Sequence, residues 1–300
     1  MHGPRKATRM IAITSRPVPA AAPAGHPVLR ALLSRPRPAV MGILNVTPDS
    51  FSDGGQFIAP ERAMAQARRM IAEGADIIDI GAESTRPGSG RLPEEAELQR
   101  LIPVLKRLRD RLSIPISVDT YKAAVAERAI ELGAEIINDP SSLTFDPLLS
   151  KVAAQQSAGL ILNHMRGTPE TWAKLRPLPD MMAAVVADLD ATVHRARRAG
   201  VEHSRVVVDP GLGFGKRKEQ NTDLLAHLHQ LAKLDLPILV GPSRKAFLAQ
   251  PTEKATAFAT ASAVAAAILC GAHIVRVHDV SDMRVVASIA DAVANAGNGA

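Results

Sequence analysis

The sequence has few of the residues that would place it outside the ordinary globular proteins. Its one cysteine, Cys270, cannot form an internal disulfide, which fits a reducing compartment such as the cytoplasm. The longest apolar stretches, such as Ala261 to Cys270, are too short to span a bilayer, so we predict no membrane helix. A single Trp and a single Tyr argue against a surface built to bind nucleic acid. The 46% of hydrophobic residues is ample for one large core.

Acidic residues are absent from the first 40 positions, which carry seven Lys and Arg among many Pro and Ala. The rest of the chain holds 29 basic and 30 acidic side chains, so the pI of about 9.8 comes from this leader. The leader lacks the continuous apolar segment of a secretory signal, and its prolines interrupt the amphipathic helix of a transit peptide. We predict a flexible basic extension over residues 1–30 and one folded domain over residues 31–300.

The remaining sequence repeats one pattern: a short apolar run, a polar loop and a longer helical segment. Eight runs have the composition of buried strands, and Pro, N-cap residues and Gly mark the ends of the helices between them. The predicted strands are Ala39–Leu44, Ile77–Ile80, Ile116–Val118, Glu135–Ile137, Leu160–Leu162, Val206–Val208, Ile238–Val240 and Ile274–Val277. Eight such units in about 260 residues predict the α/β class and a single closed (β/α)8 TIM barrel.

Polar residues follow every predicted strand. The first group lies in the stretch MGILNVTPDSFSDGG, where an apolar run changes abruptly into short polar side chains. In a closed barrel the carboxyl ends of the strands converge on one mouth, where barrel active sites lie. Eight polar strand ends in succession therefore predict a shared site at that mouth.

The side chains at this mouth are of two chemical kinds. Asp119, Asn138 and Asp209 offer the acceptors that suit a flat heterocycle rich in N–H groups. A second set offers cationic and neutral donors of the kind that hold phosphate oxygens. Its members are Asn45, Thr85, Arg86, Arg276 and His278. The two sets together indicate a polyphosphate ester of a heterocycle as the ligand.

The glycine-rich run DPGLGFGKRKEQ does not match a nucleotide-binding motif. Pro210 and Arg217 stand where a P-loop needs Gly and Ser or Thr, and Lys216 replaces the third glycine of a Rossmann fingerprint. We interpret the basic run from Lys216 to Lys218 as a solvated loop.

Seven segments carry a resemblance to a known family. They are MGILNVTPDSFSDGG, IIDIGAESTRPG, SVDT, IIND, VVDPGLGFGK, GPSRK and IVRVHDV. In their order and spacing, over residues 38–296, the chain resembles the dihydropteroate synthases. The resemblance implies a barrel enzyme that joins 6-hydroxymethyl-7,8-dihydropterin diphosphate to 4-aminobenzoate, with release of pyrophosphate, in tetrahydrofolate biosynthesis. It also implies Mg²⁺ as a cofactor, a cytoplasmic homodimer without nucleic-acid or membrane partners, and a place among the targets of sulfonamides.

The same resemblance implies roles for individual residues. The pterin would be recognised by Asp119, Asn138, Asp209 and Lys245. The diphosphate and its metal would be held by Asn45, Thr85, Arg276 and His278, with Asn45 as the metal ligand. The aminobenzoate would be bordered by Phe51, Arg86, Pro87, Phe214, Ser243 and Lys245. The catalytic groups would be Asn45, Arg276, His278 and Asp49, the last as a stabiliser of the cation that forms when diphosphate leaves.

Two alternatives stay open at this point. A methyltetrahydrofolate-binding methyltransferase domain would share the barrel and the pterin pocket, but the residues expected around aminobenzoate argue against it. A noncatalytic pterin-binding paralogue would have lost Asn45, Arg276 or His278, and the sequence has all three.

Overall fold

The computed structural model describes residues 26–47, 58–84 and 89–296 of the chain. The strands in these ranges are β1 (Ala39–Asn45), β2 (Ile77–Gly81), β3 (Ile116–Asp119), β4 (Ile136–Asp139), β5 (Gly159–Asn163), β6 (Val206–Asp209), β7 (Leu239–Val240) and β8 (Ile274–Val277). The α-helices are α1 (Pro27–Leu33), α2 (Ile58–Ala72), α3 (Glu94–Leu108), α4 (Ala123–Glu131), α5 (Leu149–Gln155), α6 (Met181–Arg198), α7 (Lys218–Ala226), α8 (Glu253–Leu269) and α9 (Val280–Ala296). In the part of the chain that the structure describes, no helix has both the length and the hydropathy needed to cross a membrane.

The strands form one parallel sheet that curls into a barrel. Its order is β6-β5-β4-β3-β2-β1-β8-β7, so the first strand pairs with both the second and the last. The gap between β6 and β7 is spanned by a bridge between Val208 and Ile238, and the Val208 N–H donates to Pro237 O at 3.0 Å. The predicted α/β class and (β/α)8 barrel are confirmed. Strand β7 is shorter than predicted, because Ile238 contributes only this bridge.

The lower end of the barrel interior is apolar and is closed by α1. Leu29 and Leu32 of this helix are buried against a ring of inward-facing side chains. The ring consists of Ala39, Met41, Ile77, Ile136, Ile161, Val207, Leu239 and Ile274. Gly159 makes room for the helix, because a Cβ there would lie only 3.1 Å from Leu29 Cδ1. We call these residues the lower layer.

The predicted boundary between residues 30 and 31 therefore needs correction, because it falls inside α1. The helix begins at Pro27, a residue whose fixed φ suits the first helical position. Leu29 belongs to the folded domain through its contacts in the lower layer. The helix has only seven residues, in a segment rich in Pro and Arg, so its periodicity is too short to read from the sequence. Residues 1–25 of the predicted extension lie outside the described residues.

Two positions further along five of these strands, the inward-facing residues are polar. Side chains on a strand alternate between its two faces, so residues two apart point to the same side. The pairs of lower and upper residues are Ile77 and Asp79, Ile136 and Asn138, Ile161 and Asn163, Val207 and Asp209, and Ile274 and Arg276. We call the polar residues at this level, with Asp119 of β3, the upper layer. The outward faces of the strands pack against the surrounding helices in a second and larger core.

Candidate active site

The centre of the upper layer is a buried cluster around Arg276. Its Nε donates to Asp79 Oδ2 at 2.6 Å, and its Nη2 donates to Asp119 Oδ2 at 2.7 Å. Asn138 Nδ2 donates to the same Asp79 oxygen at 3.2 Å. The Asp79 side chain is fully buried, and those of Arg276 and Asp119 are 18% and 15% exposed. The structure thus joins two residues predicted for the pterin to one predicted for the diphosphate.

Burial and ion pairing act in opposite directions on this cluster. Burial raises the pKa of Asp119 to about 7, although the Arg276 guanidinium favours the ionised form. For Arg276 the two carboxylates outweigh the effect of burial, so its pKa is raised above the ordinary value. Arg276 therefore stays cationic. Asp119 lies near its titration point at neutral pH, where a carboxyl group can donate as well as accept a hydrogen bond.

Asp209, at the end of β6, is a further carboxylate of the upper layer. Its Oδ1 accepts from the Gly211 N–H at 2.7 Å, and its Oδ2 accepts from Asn163 Nδ2 at 3.4 Å. Burial raises the pKa of Asp209, and the Lys245 ammonium opposes this shift. Burial likewise lowers the pKa of Lys245 to about 8, with Asp209 acting against it. These two predicted pterin residues therefore influence each other electrostatically.

Three buried acceptors of the upper layer receive no hydrogen bond from the described residues. They are Asp79 Oδ1, Asn138 Oδ1 and Asn163 Oδ1. A buried polar atom without a partner costs about 1–3 kcal/mol, and native structures contain few of them. A ligand with several N–H donors would supply the partners that these oxygens lack.

An aromatic and cationic group lies beside the upper layer. Lys245 Nζ lies 4.1 Å from the centroid of the Phe214 ring and donates to the carbonyl oxygen of Leu212. Phe214 also stacks on Trp172, with ring centroids 5.3 Å apart and an interplanar angle of 26°. The structure therefore brings together Phe214 and Lys245, both predicted to border aminobenzoate, and adds Trp172 to them.

Ser243 and His278 come from the loops after β7 and β8 and are hydrogen bonded to each other. Ser243 Oγ lies 2.9 Å from His278 Nδ1, and the His278 backbone N–H donates to the same hydroxyl oxygen at 3.2 Å. A residue predicted for the aminobenzoate carboxylate thus contacts one predicted for the diphosphate.

Asn45, the predicted ligand of Mg²⁺, ends β1 at the mouth. Its Oδ1 lies 3.7 Å from the point that a Cβ on Gly81 would occupy, and Asp119 Oδ2 lies 3.9 Å from the same point. Mg²⁺ takes oxygen ligands and is often held by one or two protein groups together with substrate phosphates. Within the described ranges, no group of three or more His, Cys, Asp or Glu side chains is arranged to hold a metal ion. The Asn45 amide oxygen is of the chemical kind that such a metal takes as a ligand.

The remaining predicted site residues lie outside the described residues. They are Asp49, Phe51, Thr85, Arg86 and Pro87. In the chain the first two follow β1 and the other three follow β2, so both segments leave strands that end at this mouth. Their roles stay predictions.

Besides Trp172, sequence reasoning missed three residues at or beside the site. Asp79 and Asn163 are polar residues within the buried strands IIDIG and GLILN, and a polar residue at an inward-facing strand position is the sequence signal that could have identified them.

The interpretation of Lys216 as solvated was wrong. Lys216 is buried and donates to backbone carbonyl oxygens, whereas Arg217 and Lys218 are exposed. Nothing in the local pattern shows that the loop folds back over this side chain.

The fold and the upper layer define a barrel enzyme that binds a pterin-like heterocycle. A family model described as pterin binding enzyme matches residues 41–278. The dihydropteroate synthase of Synechocystis sp. is 46% identical, over 86% of this chain and 90% of its own length.

Solved structures agree with this assignment. The dihydropteroate synthase of Clostridium difficile, in the presence of pteroic acid, is 41% identical with a TM-score of 0.81, covering 86% of this chain and 97% of its own. The Yersinia pestis enzyme, in complex with a sulfonamide drug, is 40% identical with a TM-score of 0.81, covering 86% and 95%. The chain belongs to the dihydropteroate synthase family, as its motifs indicated.

Proposed function

We propose that this barrel condenses 6-hydroxymethyl-7,8-dihydropterin diphosphate with 4-aminobenzoate, giving 7,8-dihydropteroate and pyrophosphate in folate biosynthesis. The observation that carries the proposal is the upper layer, where buried acceptors lie directly beside the cationic Arg276. A pterin ring offers several N–H donors to such acceptors, and its diphosphate offers an anion to the cation. Three relatives named dihydropteroate synthase match this chain over at least 90% of their own length.

The acceptors divide the recognition of the pterin between them. Asp119, Asn138 and Asp209 bind the N–H groups of the ring, and Lys245 donates to its acceptor atoms. Asp79 acts from beneath, because it orients both Arg276 and Asn138 through hydrogen bonds of 2.6 and 3.2 Å. A ring that binds here replaces the hydration that these buried groups have lost.

The reaction needs no side-chain nucleophile. The bond from the pterin methylene carbon to the diphosphate oxygen breaks, which leaves a cation conjugated with the ring. The aniline nitrogen then forms a bond to this carbon, and one proton is released. Arg276 and His278 stabilise the charge on the departing diphosphate, and a preorganised donor of this kind is typically worth about 3 kcal/mol. Asn45 would hold Mg²⁺, which when bound would supply further charge stabilisation for the leaving diphosphate.

The second substrate lies on the side of Phe214, Lys245 and Ser243. The Phe214 ring offers a face for the aromatic ring of aminobenzoate, and the carboxylate meets the Ser243 hydroxyl. We expect sulfonamides to compete for this position. Phe51, Arg86 and Pro87 are proposed to border the same position, and Asp49 is proposed to stabilise the cation.

We further propose a homodimer formed through α8 and α9. These helices pack against each other and expose large apolar side chains, namely Phe258, Val285 and Ile289, each 63% exposed, and Val293. The three residues of α9 recur every four positions and so share one face, and a second copy of the chain would cover it. We expect Ile289→Asp to shift the protein from dimer to monomer in size-exclusion chromatography with light scattering. Leu148→Asp, at an exposed leucine on another part of the surface, is the control.

We also propose that the enzyme is cytoplasmic, because its single cysteine, Cys270, is buried and a protein without disulfides is typical of a reducing compartment.

An assay of the purified protein with pterin diphosphate, 4-aminobenzoate and Mg²⁺ tests the proposed reaction. We expect dihydropteroate, identified by mass spectrometry, together with one pyrophosphate for each molecule formed. Arg276→Met should form no product, whereas Lys218→Met, at an exposed position, should retain the parent rate. Pterin binding without any product would contradict the proposal and favour a noncatalytic pterin-binding protein.

A further inference from the structure

Lys216, in the loop between β6 and α7, is a buried cation whose three contacts are all backbone carbonyl oxygens. Its Nζ lies 2.7 Å from Gly211 O, 3.0 Å from His164 O and 3.1 Å from Phe214 O. An ammonium group has three N–H donors, so each donor has one acceptor. The arrangement is therefore complete as a hydrogen-bonded unit, although all three acceptors are neutral.

A lysine in this position is costly for the fold. Lys216 is 9% exposed, and burial lowers its pKa well below the ordinary value, whereas the three carbonyl acceptors favour the ammonium form, which alone has three N–H donors. The Lys245 ammonium adds to this shift, and Asp209 opposes it. An apolar side chain could fill the same space without losing hydration, so packing alone does not account for a lysine here. Only a group with several donors can tie three carbonyls together.

Through its three hydrogen bonds, Lys216 joins the loop that holds Gly211 and Phe214 to His164, the residue directly after β5. Gly211 and Gly215 have φ values of 65° and 69°, which favour glycine. A Cβ on Gly211 would lie 1.9 Å from His164 O, and one on Gly215 would lie 2.4 Å from another carbonyl oxygen of the loop that follows β5. The Phe214 N–H also donates to Gly211 O at 3.1 Å. Lys216 thus closes a tight turn and fastens it to the neighbouring strand.

The same turn carries the groups that surround Lys245. Leu212 O accepts a hydrogen bond from Lys245 Nζ, and the Phe214 ring lies 4.1 Å from that nitrogen. A change in the turn would therefore move both an aromatic surface and the acceptor that sets the direction of the Lys245 ammonium.

We propose that Lys216 is a positioning residue for the second substrate. Its ammonium fixes the turn from Gly211 to Gly215 and thereby places Phe214 and Lys245 for aminobenzoate. The identity of this substrate rests on the proposed function, whereas the effect of Lys216 on the turn does not.

Trp172 provides a test that needs no substrate. It is the only tryptophan in the chain, and it stacks on Phe214. In Lys216→Met we expect the Trp172 emission to shift to longer wavelength, at temperatures below the unfolding transition, because the indole loses its partner ring. Lys218→Met makes the same change at an exposed position two residues later and should leave the spectrum unchanged. An unchanged spectrum in Lys216→Met would overturn the proposal.

Steady-state kinetics provide the second test. We expect Lys216→Met to raise KM for 4-aminobenzoate about tenfold, as for a lost charged hydrogen bond, with a smaller change in KM for pterin diphosphate. Lys216→Arg keeps a cation with several donors and should recover part of the loss. Equal increases in both KM values, without recovery in Lys216→Arg, would indicate a purely structural role and contradict the proposal.

Two further outcomes are covered by these variants. If the parent protein makes no dihydropteroate, the proposed function fails, and the emission of Trp172 still decides the role of Lys216. If Lys216→Met does not fold, Lys216→Gln replaces it, since its amide keeps two donors and should give a smaller shift in the same direction. A spectrum of Lys216→Gln identical to that of the parent would then overturn the proposal.

Discussion

The two layers of the barrel interior lie only two residues apart on the same strands, yet they follow opposite rules. In the lower layer, apolar side chains pack against Leu29 and Leu32 of α1. In the upper layer, Arg276 is buried between Asp79 and Asp119, and three oxygen atoms lack hydrogen-bond partners among the described residues.

The difference shows where the fold gains stability and where it gives stability up. The side chains of the lower layer pack against one another and remove apolar surface from water, which is the source of stability in a packed core. The upper layer keeps charges and unpaired acceptors in a buried place, which costs free energy until a ligand with matching donors arrives. We therefore expect changes in the two layers to separate stability from binding.

The largest effect is expected for Arg276→Met, which removes the cation of the upper layer. Asp79 and Asp119 are then left as buried carboxylates without their partner, and such a change typically costs about 3–5 kcal/mol of the free energy of unfolding. Urea denaturation measures this loss, and the activity should vanish with it.

A double variant separates the two consequences. Asp79→Leu combined with Arg276→Met removes both charges of the Arg276–Asp79 pair and leaves Asp119 alone without its partner. We therefore expect part of the stability to return while the activity stays absent. Activity in the double variant would show that the ion pair is not part of the site.

The lower layer should give the opposite result. We expect Leu29→Ala to lower the free energy of unfolding by about 2–5 kcal/mol, because it leaves a cavity beneath the barrel. KM for both substrates should stay near the parent values. Arg30→Ala, on the exposed side of α1, is the control and should have little effect. A KM increase in Leu29→Ala as large as that of an upper-layer variant would show that the layers are not independent.

The pH dependence of stability should report on Asp119. Its pKa is about 7 in the folded protein, above the ordinary 3.8, so the folded state binds the additional proton. The stability contributed by this carboxyl group should therefore fall as pH rises from about 4 to about 7, with a slope of up to about 1.4 kcal/mol per pH unit for one proton. Buried His164, whose pKa is lowered to about 4, contributes with the opposite sign.

Asp119→Asn should remove the falling component that Asp119 contributes, so thermal unfolding of the variant should lose less stability between pH 4 and pH 7 than the parent protein. Some slope should remain, because burial also raises the pKa of Asp139 to about 6, and the sign of its contribution is the same. A variant whose profile matches that of the parent would contradict the assignment to Asp119.

The smallest effect is expected for Asn163→Leu, which makes one position of the upper layer resemble the lower layer. It removes a buried oxygen without a partner and a 3.4 Å hydrogen bond to Asp209. We expect the free energy of unfolding to rise by about 1 kcal/mol and KM for the pterin substrate to rise a few-fold. A less stable protein would mean that Asn163 contributes to the fold.

The sequence predicted the barrel well because the repeated strand, loop and helix pattern allows few other folds. It also indicated Asp119, Asn138 and Asp209, since each stands at a strand end next to a polar loop. Asp79 was missed, because a single carboxylate within an apolar strand shows its role only when the direction of its side chain is known.

Two further features could not be predicted from local patterns. The closure of the lower end of the barrel by α1 depends on contacts of Leu29 with residues that are distant in the sequence. The burial of Lys216 depends on a turn that folds back onto the end of β5. The residues next to it in sequence are typical of an exposed loop, and only the folded turn brings the carbonyl groups around its side chain.

Binding of a pterin without the diphosphate shows whether the upper layer is a site for the heterocycle. Calorimetry in the presence of EDTA should show binding to the parent protein and to Leu29→Ala with similar affinity, because the ring contacts the upper layer and needs no metal. Asp119→Ala should show no binding. Equal binding by Asp119→Ala and the parent protein would contradict the account.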